Sequence, residues 1–282
     1  MTAYTNLIST ADLAKNLENP HWVIVDCRFD LGKPDWGEQA YQQAHIPGAV
    51  YAHLDRDLSG PKTAQTGRHP LPEQAALFTT LSRMGIGQGV QVVVYDSNGG
   101  AYAVRLWWLL KLYGHSAAAV LDGGLPKWQA EGRPTRAGVE TNPTTGFSGT
   151  LNGDMIADEQ DAARAAADPR GRLVDARAPE RYRGEVEPID PVAGHIPGAV
   201  NRFHGLNLDQ NGTMKPPEQL RVEFEQLLGD TDPHETVFYC GSGVTSIHHL
   251  LAMESAGLPG GKIYVGSWSH WIRDPKRPIE KS

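Results

Sequence analysis

Cysteine is scarce in this 282-residue chain, which carries only Cys27 and Cys240. Two cysteines cannot build a disulfide framework, and a reducing, intracellular home is the simplest reading. Positive charge is also in short supply. With 26 Lys and Arg against 33 Asp and Glu, the formal charge is -7, so the overall field gives no reason to expect nucleic acid or an anionic membrane as partner. Any anion site must be local. No apolar run approaches the roughly 18 residues of a membrane-spanning helix. The opening Met1-Thr-Ala-Tyr-Thr-Asn-Leu7 lacks the basic-then-apolar pattern of a secretory signal. Together these absences read as a cytoplasmic protein with no membrane or nucleic-acid partner. What is present, 40% hydrophobic and 21% charged residues, is ordinary globular composition, and the length suggests two domains or one large one.

An internal repeat decides between these. Ala44-His-Ile-Pro-Gly-Ala-Val50 returns as Gly194-His-Ile-Pro-Gly-Ala-Val200, and upstream of each stands a short apolar run ending in an acid, Val23-Ile-Val-Asp-Cys-Arg28 and Leu173-Val-Asp-Ala-Arg177. Downstream, Val92-Val-Val-Tyr-Asp96 corresponds to Val237-Phe-Tyr-Cys240, and Gly123-Gly-Leu-Pro-Lys-Trp128 to Gly266-Ser-Trp-Ser-His-Trp271. Landmarks repeated in one order over so long a period mark a duplicated domain, too long for a solenoid unit. A Gly-, Pro- and Thr-rich stretch without sustained apolar period separates the copies. We therefore place an N-terminal domain at 1–131, a linker at 132–150 and a C-terminal domain at 151–282.

Each half alternates short β-branched runs with longer amphipathic segments. Trp22 to Val25, Gln91 to Tyr95 and Ala117 to Leu121 read as strands buried on both faces, with helices at Pro72 to Met84 and Ala101 to Tyr113. The second half has strands at Leu173 to Asp175, Thr236 to Tyr239 and Lys262 to Val265, and helices at Pro217 to Leu228 and Val244 to Gly257. Strand alternating with helix predicts an α/β fold in each half, a mostly parallel sheet flanked by helices.

In such folds ligands collect at the carboxyl ends of strands, where loops lead into helix N-termini. Cys240 stands there, followed by Gly241-Ser-Gly-Val-Thr-Ser246. Gly241 and Gly243 permit positive φ, so that successive N–H groups turn inward around one sulfur, and these donors with the helix dipole favour thiolate, the nucleophilic form. In the first half Asp96 occupies the equivalent place, so that half supplies no sulfur nucleophile. Cys27, one residue past a strand-end Asp and without such a loop, reads as packed and inert.

Two halves each carrying Asp-x-Arg and Gly/Ala-His-Ile-Pro-Gly-Ala, with the strand-end Cys only in the second, resemble the tandem-domain rhodanese sulfurtransferases over nearly the whole chain. Within that family, Cys240-Gly-Ser-Gly-Val-Thr245 is similar to the loop of the mercaptopyruvate branch. The resemblance implies that the Cys240 thiolate takes sulfur from 3-mercaptopyruvate, releases pyruvate and holds a persulfide until cyanide or a thiol such as thioredoxin accepts it, with no cofactor and no metal. Gly241, Ser242, Gly243, Val244, Thr245 and Ser246 would stabilise the persulfide charge. It further implies that Ser242 relays a proton, with His69 of Gly67-Arg-His-Pro-Leu-Pro72 and Asp55 behind it, so that the site would sit between the domains. Arg181 matches the first of two arginines that bind the substrate carboxylate, a task suited to a forked guanidinium. Where the second is expected, Pro188-Ile-Asp-Pro191 stands, and an Asp there would repel the anion. Arg183, Arg202 and Arg105 are candidates to replace it, and Arg105 is taken with Arg181 as substrate-binding.

Three alternatives stay open or are set aside. A thiosulfate:cyanide sulfurtransferase shares the scaffold, but its dianionic substrate would want Lys or Arg beside Cys240, and the loop has none. A cysteine phosphatase would want an Arg closing the loop, where Thr245 and Ser246 stand. A non-enzymatic persulfide carrier is the reading of another class. Gly85-Ile-Gly-Gln-Gly89 precedes a strand instead of following one and reads as a helix stop, and His248 and His249 point in different directions on a helix, which argues against shared metal binding. Trp107, Trp108, Trp128, Trp268 and Trp271 read as packing residues.

Overall fold

The computed structural model describes residues 3–282. They form two compact units, one of residues 3–60, Leu71–Asn152 and Gln210–Met214, the other of Pro61–Pro70, Gly153–Asp209 and Lys215–Ser282. The units are therefore not continuous stretches: the segment at 61–70 packs with the second half of the sequence, and 210–214 with the first.

In the first unit the strands β1 (Leu7–Ile8), β2 (Trp22–Asp26), β3 (Ala49–Tyr51), β4 (Gln91–Tyr95) and β5 (Ala118–Leu121) pair in the order β1-β5-β4-β2-β3, every pair parallel. Helices α1 (Thr10–Ala14), α2 (Trp36–Gln43), α3 (Gln74–Arg83), α4 (Ala103–Leu112) and α5 (Gly124–Ala130) connect them. The second unit repeats the plan with β6 (Ile156–Ala157), β7 (Arg172–Asp175), β8 (Val200–Asn201), β9 (Thr236–Tyr239) and β10 (Lys262–Tyr264), again all parallel, in the order β6-β10-β9-β7-β8. Its helices are α6 (Glu159–Ala167), α7 (Pro179–Arg183), α8 (Pro217–Leu228), α9 (Ile247–Ser255) and α10 (Ser267–Trp271). β4 and β9 are buried at every position, which is why, after the polar first residues Gln91 and Thr236, they read as apolar runs without alternation. α9 starts at Ile247, later than the expected Val244, because Val244 to Ser246 still belong to the loop after Cys240.

The repeated motifs are structural clamps. In the first unit Arg28 Nε lies 3.0 and 2.9 Å from the two Asp26 oxygens while its Nη2 reaches Asp26 Oδ2 at 2.6 Å and the Ala44 carbonyl at 2.7 Å. Arg177 does the same to Asp175 and the Gly194 carbonyl. Each clamp ties a strand end to the His-Ile-Pro-Gly turn before the next strand, and both acids are fully buried. An ion pair so placed keeps its desolvation tolerable only through these multiple, charge-assisted bonds.

The stretch at 132–150, expected as a linker, is stitched along the first unit. His45 and Arg136 exchange backbone hydrogen bonds of 2.9 and 2.8 Å, Asn142 Nδ2 donates to the Met84 carbonyl at 2.9 Å and Thr145 Oγ1 to that of Ile86 at 2.6 Å. Its counterpart in the second unit is the C-terminal tail, where His195 and Glu280 make the same exchange. The buried indoles hold these tails, Trp128 Nε1 donating to Pro134 O at 2.8 Å and Trp271 Nε1 to Pro278 O at 2.9 Å. Gly85, with φ +84, donates to Ser82 O just past α3, the helix stop expected there.

Candidate active site

Cys240 follows β9 directly and is 2% exposed. Its backbone is pinned by the start of α10: Cys240 N donates to Ser267 Oγ at 3.1 Å, Trp268 N donates to Cys240 O at 3.0 Å and Ser269 N to Gly241 O at 2.9 Å. Among the described residues Ser267 is the one non-glycine with positive φ, +52°. The matching position in the first unit is Gly124, φ +54°, where Leu125 N donates to Asp96 O at 2.9 Å. A side chain in this region costs about 1 to 2 kcal/mol. Serine stands where glycine would be relaxed, and its hydroxyl both holds the Cys240 N–H and donates to Tyr264 O at 2.8 Å.

Of the two loop glycines only Gly243 takes positive φ, +73°, and a Cβ there would overlap the Val265 carbonyl oxygen. The positive φ that both glycines permit is therefore used at Gly243 and not at Gly241. What Gly241 requires is room, since a Cβ would lie 2.9 Å from Arg68 Nη2 and 3.7 and 3.8 Å from Arg181 Nη2 and Nη1.

Burial alone would raise the Cys240 thiol, but hydrogen bonds from the Thr245 hydroxyl, the Ser242 amide, and the Ser246 hydroxyl and amide outweigh it and bring the thiol below its ordinary value. The first unit shows what such a loop is shaped to hold. There the Asp96 carboxylate accepts N–H bonds from Asn98 at 2.7 Å, Gly100 at 2.9 Å, Tyr102 at 2.8 Å and Ala103 at 2.9 Å. One loop folds its N–H donors around a carboxyl side chain and the other around a sulfur. Cys27 is the opposite case: burial, then the carboxylates of Asp26, Asp96 and Asp57, push its thiol well above the ordinary value.

Beside the loop that follows Cys240 the second unit gathers several sequence-predicted residues. His69, brought in by the segment at 61–70, places Nδ1 2.8 Å from Ser242 Oγ, and both side chains are buried. Arg181, on α7, grips Glu187 through Nε at 3.1 Å and Nη2 at 2.7 Å, and its Nη2 lies 3.3 Å from Asp190 Oδ2. Asp190 is no bare repelling charge, because its other oxygen takes Arg68 Nη1 at 2.5 Å. Arg68 escaped the sequence reading although it adjoins His69; its own N–H donates to Ser269 Oγ at 2.9 Å. Arg183 pairs with Glu185 at the surface, and Arg202 pairs with Glu223 at 2.7 Å above the Phe224 ring, so both are committed elsewhere. Asp55 and Arg105 belong to the first unit. There Asp55 N donates to His53 Nδ1 at 3.1 Å, and Arg105, wholly buried on α4, donates from Nε to Leu58 O at 3.3 Å. His249 Nε2 faces the Arg202 carbonyl at 2.8 Å, and no group of three potential metal-binding side chains occurs among the described residues.

A nucleophile in an amide cradle, duplicated with an acid in its place, is one pattern, and the rhodanese-like domain pattern matches this chain twice, at residues 9–131 and 157–274. The chain belongs to the rhodanese-like family. As a tandem rhodanese it is a sulfurtransferase, 46% identical over 97% of both chains to a Pseudomonas aeruginosa protein named "Probable 3-mercaptopyruvate sulfurtransferase". It is also 32% identical to the thiosulfate sulfurtransferase of Rattus norvegicus, over 96% of this chain and 93% of that one. Among solved structures, the 3-mercaptopyruvate sulfurtransferase from Leishmania major superposes with a TM-score of 0.82 at 28% identity, covering 94% of this rhodanese and 73% of its counterpart. No described helix is long and apolar enough to cross a membrane.

Proposed function

We propose that this rhodanese moves sulfur from 3-mercaptopyruvate through a Cys240 persulfide to a thiol such as thioredoxin, or to cyanide. The observation that carries the reading is the 2.8 Å contact of His69 Nδ1 with Ser242 Oγ, two residues from a sulfur held by donors and by no cationic residue of its own loop. Such a pair suits a reaction that must deliver a proton to a carbanion, as thiosulfate cleavage does not. The Cys240 thiolate attacks the donor's sulfur. The carbon–sulfur bond breaks with its electron pair on C3, giving the enolate of pyruvate. The proton of the donor's own thiol passes through Ser242 Oγ and His69 to C3, leaving pyruvate and a persulfide anion on Cys240. An acceptor thiolate then attacks the outer sulfur and restores the Cys240 thiolate. Amide and hydroxyl donors aimed at the sulfur favour each of these anions before any charge moves.

Asp55 remains part of this proposal as a group acting behind His69, and Arg181 and Arg105 as substrate-binding groups. The domain limits 1–131 and 151–282 are proposed as the two evolutionary copies. A reducing cytoplasm suits a mechanism that needs a free Cys240 thiolate, and both cysteines are free. Thiosulfate is the second reading, favoured by the Arg68 and Arg181 guanidinium groups that meet over Gly241, since two cations there could receive a dianion. The deciding test compares pyruvate release from mercaptopyruvate with thiocyanate formation from thiosulfate and cyanide over many turnovers, for wild type and Cys240→Ser. Preference for mercaptopyruvate, lost in the variant, is expected; preference for thiosulfate would overturn the donor assignment, and a single turnover with either donor would indicate a carrier.

A further inference from the structure

One buried amide holds the first turn of α9. Asn207, the last residue of a 3-10 turn at His204–Asn207, places Nδ2 3.0 Å from His248 Nδ1, 3.1 Å from His249 Nδ1 and 3.2 Å from the His248 carbonyl oxygen. Neighbouring side chains on a helix point in different directions, but Nδ1 is the ring nitrogen nearer the backbone, so a single group set against the turn reaches both. All three residues are buried. His249 Nε2 lies 2.8 Å from the Arg202 carbonyl oxygen, which only accepts, so Nε2 carries the ring's proton. Burial, then the Arg202 charge, drives the His249 pKa well below its ordinary value, so the ring stays neutral and Nδ1 is an acceptor. Asn207 Oδ1 is buried with no hydrogen-bond partner among the described residues. Turning the amide over would set that oxygen against three acceptors, so the side chain serves through its NH2 group alone. The backbone is anchored as well, the Asn207 carbonyl accepting from Lys215 N at 3.0 Å.

The turn so held is the one that leads out of the cradle. His248 N donates to Thr245 O at 3.2 Å and His249 N to Ser246 O at 3.1 Å, and the hydroxyls of Thr245 and Ser246 are those bonded to the Cys240 sulfur. We propose that Asn207 is a positioning residue for sulfur transfer: its amide fixes the first turn of α9 and with it the aim of the Thr245 and Ser246 hydroxyls at Cys240. The proposal rests on Cys240 as the sulfur carrier, whichever donor loads it. Leucine at 207 would fill nearly the same space and leave both ring Nδ1 atoms without a donor, so the core stays packed while the turn loses its anchor.

The test compares Asn207→Leu with wild type by kcat and KM for the donor that wild type turns over, by the pH midpoint of Cys240 alkylation with iodoacetamide, and by Tm. Displacing catalytic groups by about 1 Å can cost on the order of 100-fold, so kcat is expected to fall about 10- to 100-fold while KM moves little. The alkylation midpoint should rise by about one pH unit, as the weakening of a charge-assisted bond to thiolate would give. A side chain that only packs would lower Tm and leave kcat and the midpoint at their wild-type values below the melting range, which would overturn the proposal and leave the function intact. A second measurement needs no variant to fold: NMR of wild type with nitrogen-labelled histidine is expected to show His248 and His249 neutral with unprotonated Nδ1, and a proton on either Nδ1 would overturn the proposal. A wild-type Cys240 no more reactive than a free thiol would instead sink the nucleophile reading, and this inference with it.

Discussion

Replacing Thr245 by Val removes one hydroxyl from the Cys240 sulfur and little else. The backbone of Thr245 contributes its carbonyl to His248 N at 3.2 Å, which valine retains, and the two side chains have nearly the same shape. Among the groups that lower the Cys240 thiol, the Thr245 hydroxyl is the foremost, ahead of the Ser242 amide and the Ser246 donors. A hydrogen bond to a charged group is worth about 1.5 to 3 kcal/mol, and about 1.4 kcal/mol corresponds to one pH unit, so the thiol should titrate roughly one to two pH units higher in the variant. The sign follows from which form is bonded: the hydroxyl donates to thiolate, so its loss disfavours thiolate and moves the profile to higher pH. Iodoacetamide alkylation of Cys240 followed across pH reads the thiolate fraction directly, with Cys27 silent because its thiol is driven up and buried. A Thr245→Val profile that overlays wild type would refute the role of this hydroxyl, and a wild-type midpoint at or above that of a free thiol would refute the cradle as a whole.

Further outcomes follow from the same geometry. Gly243→Ala combines positive φ with overlap on the Val265 carbonyl, so it should distort the loop and abolish turnover while costing more than about 1 kcal/mol in urea denaturation. Arg177→Ala strands the fully buried Asp175 and empties the site over the Trp268 ring, 4.7 Å away; removing one partner of a buried pair costs about 3 to 5 kcal/mol, visible as a fall of roughly 10 °C in Tm by calorimetry. Asp96→Ala leaves four amide N–H groups of the first unit without their carboxylate and should destabilise the protein by several kcal/mol, at roughly 1 to 3 per unsatisfied donor, measured by chemical denaturation.

The sheet and the repeat were legible because parallel strands buried on both faces must be apolar throughout, and because the clamp motifs recur as local strings. The same strings, Asp-x-Arg and His-Ile-Pro-Gly, say nothing of chemistry: they hold strand ends. Cys240 was legible from its place between a strand and a Gly-rich loop. Ser267 was not, since a serine in left-handed backbone announces itself only when Gly124 is set beside it. Arg68 was not legible either, because its meaning depends on a segment of the N-terminal half packing with the C-terminal unit, a long-range event with no local pattern. Asp190 read as a repelling charge for the same reason: the two guanidinium groups that neutralise it come from positions 122 and 9 residues away.

The central claim is that Cys240 alone carries sulfur as a persulfide. Mass spectrometry of the protein after brief exposure to mercaptopyruvate, without an acceptor, tests it most directly. One added sulfur atom on the peptide containing Cys240, none on that containing Cys27, and loss of the added mass on addition of reduced thioredoxin are predicted. Unmodified Cys240 in a sample that has released pyruvate would contradict the account.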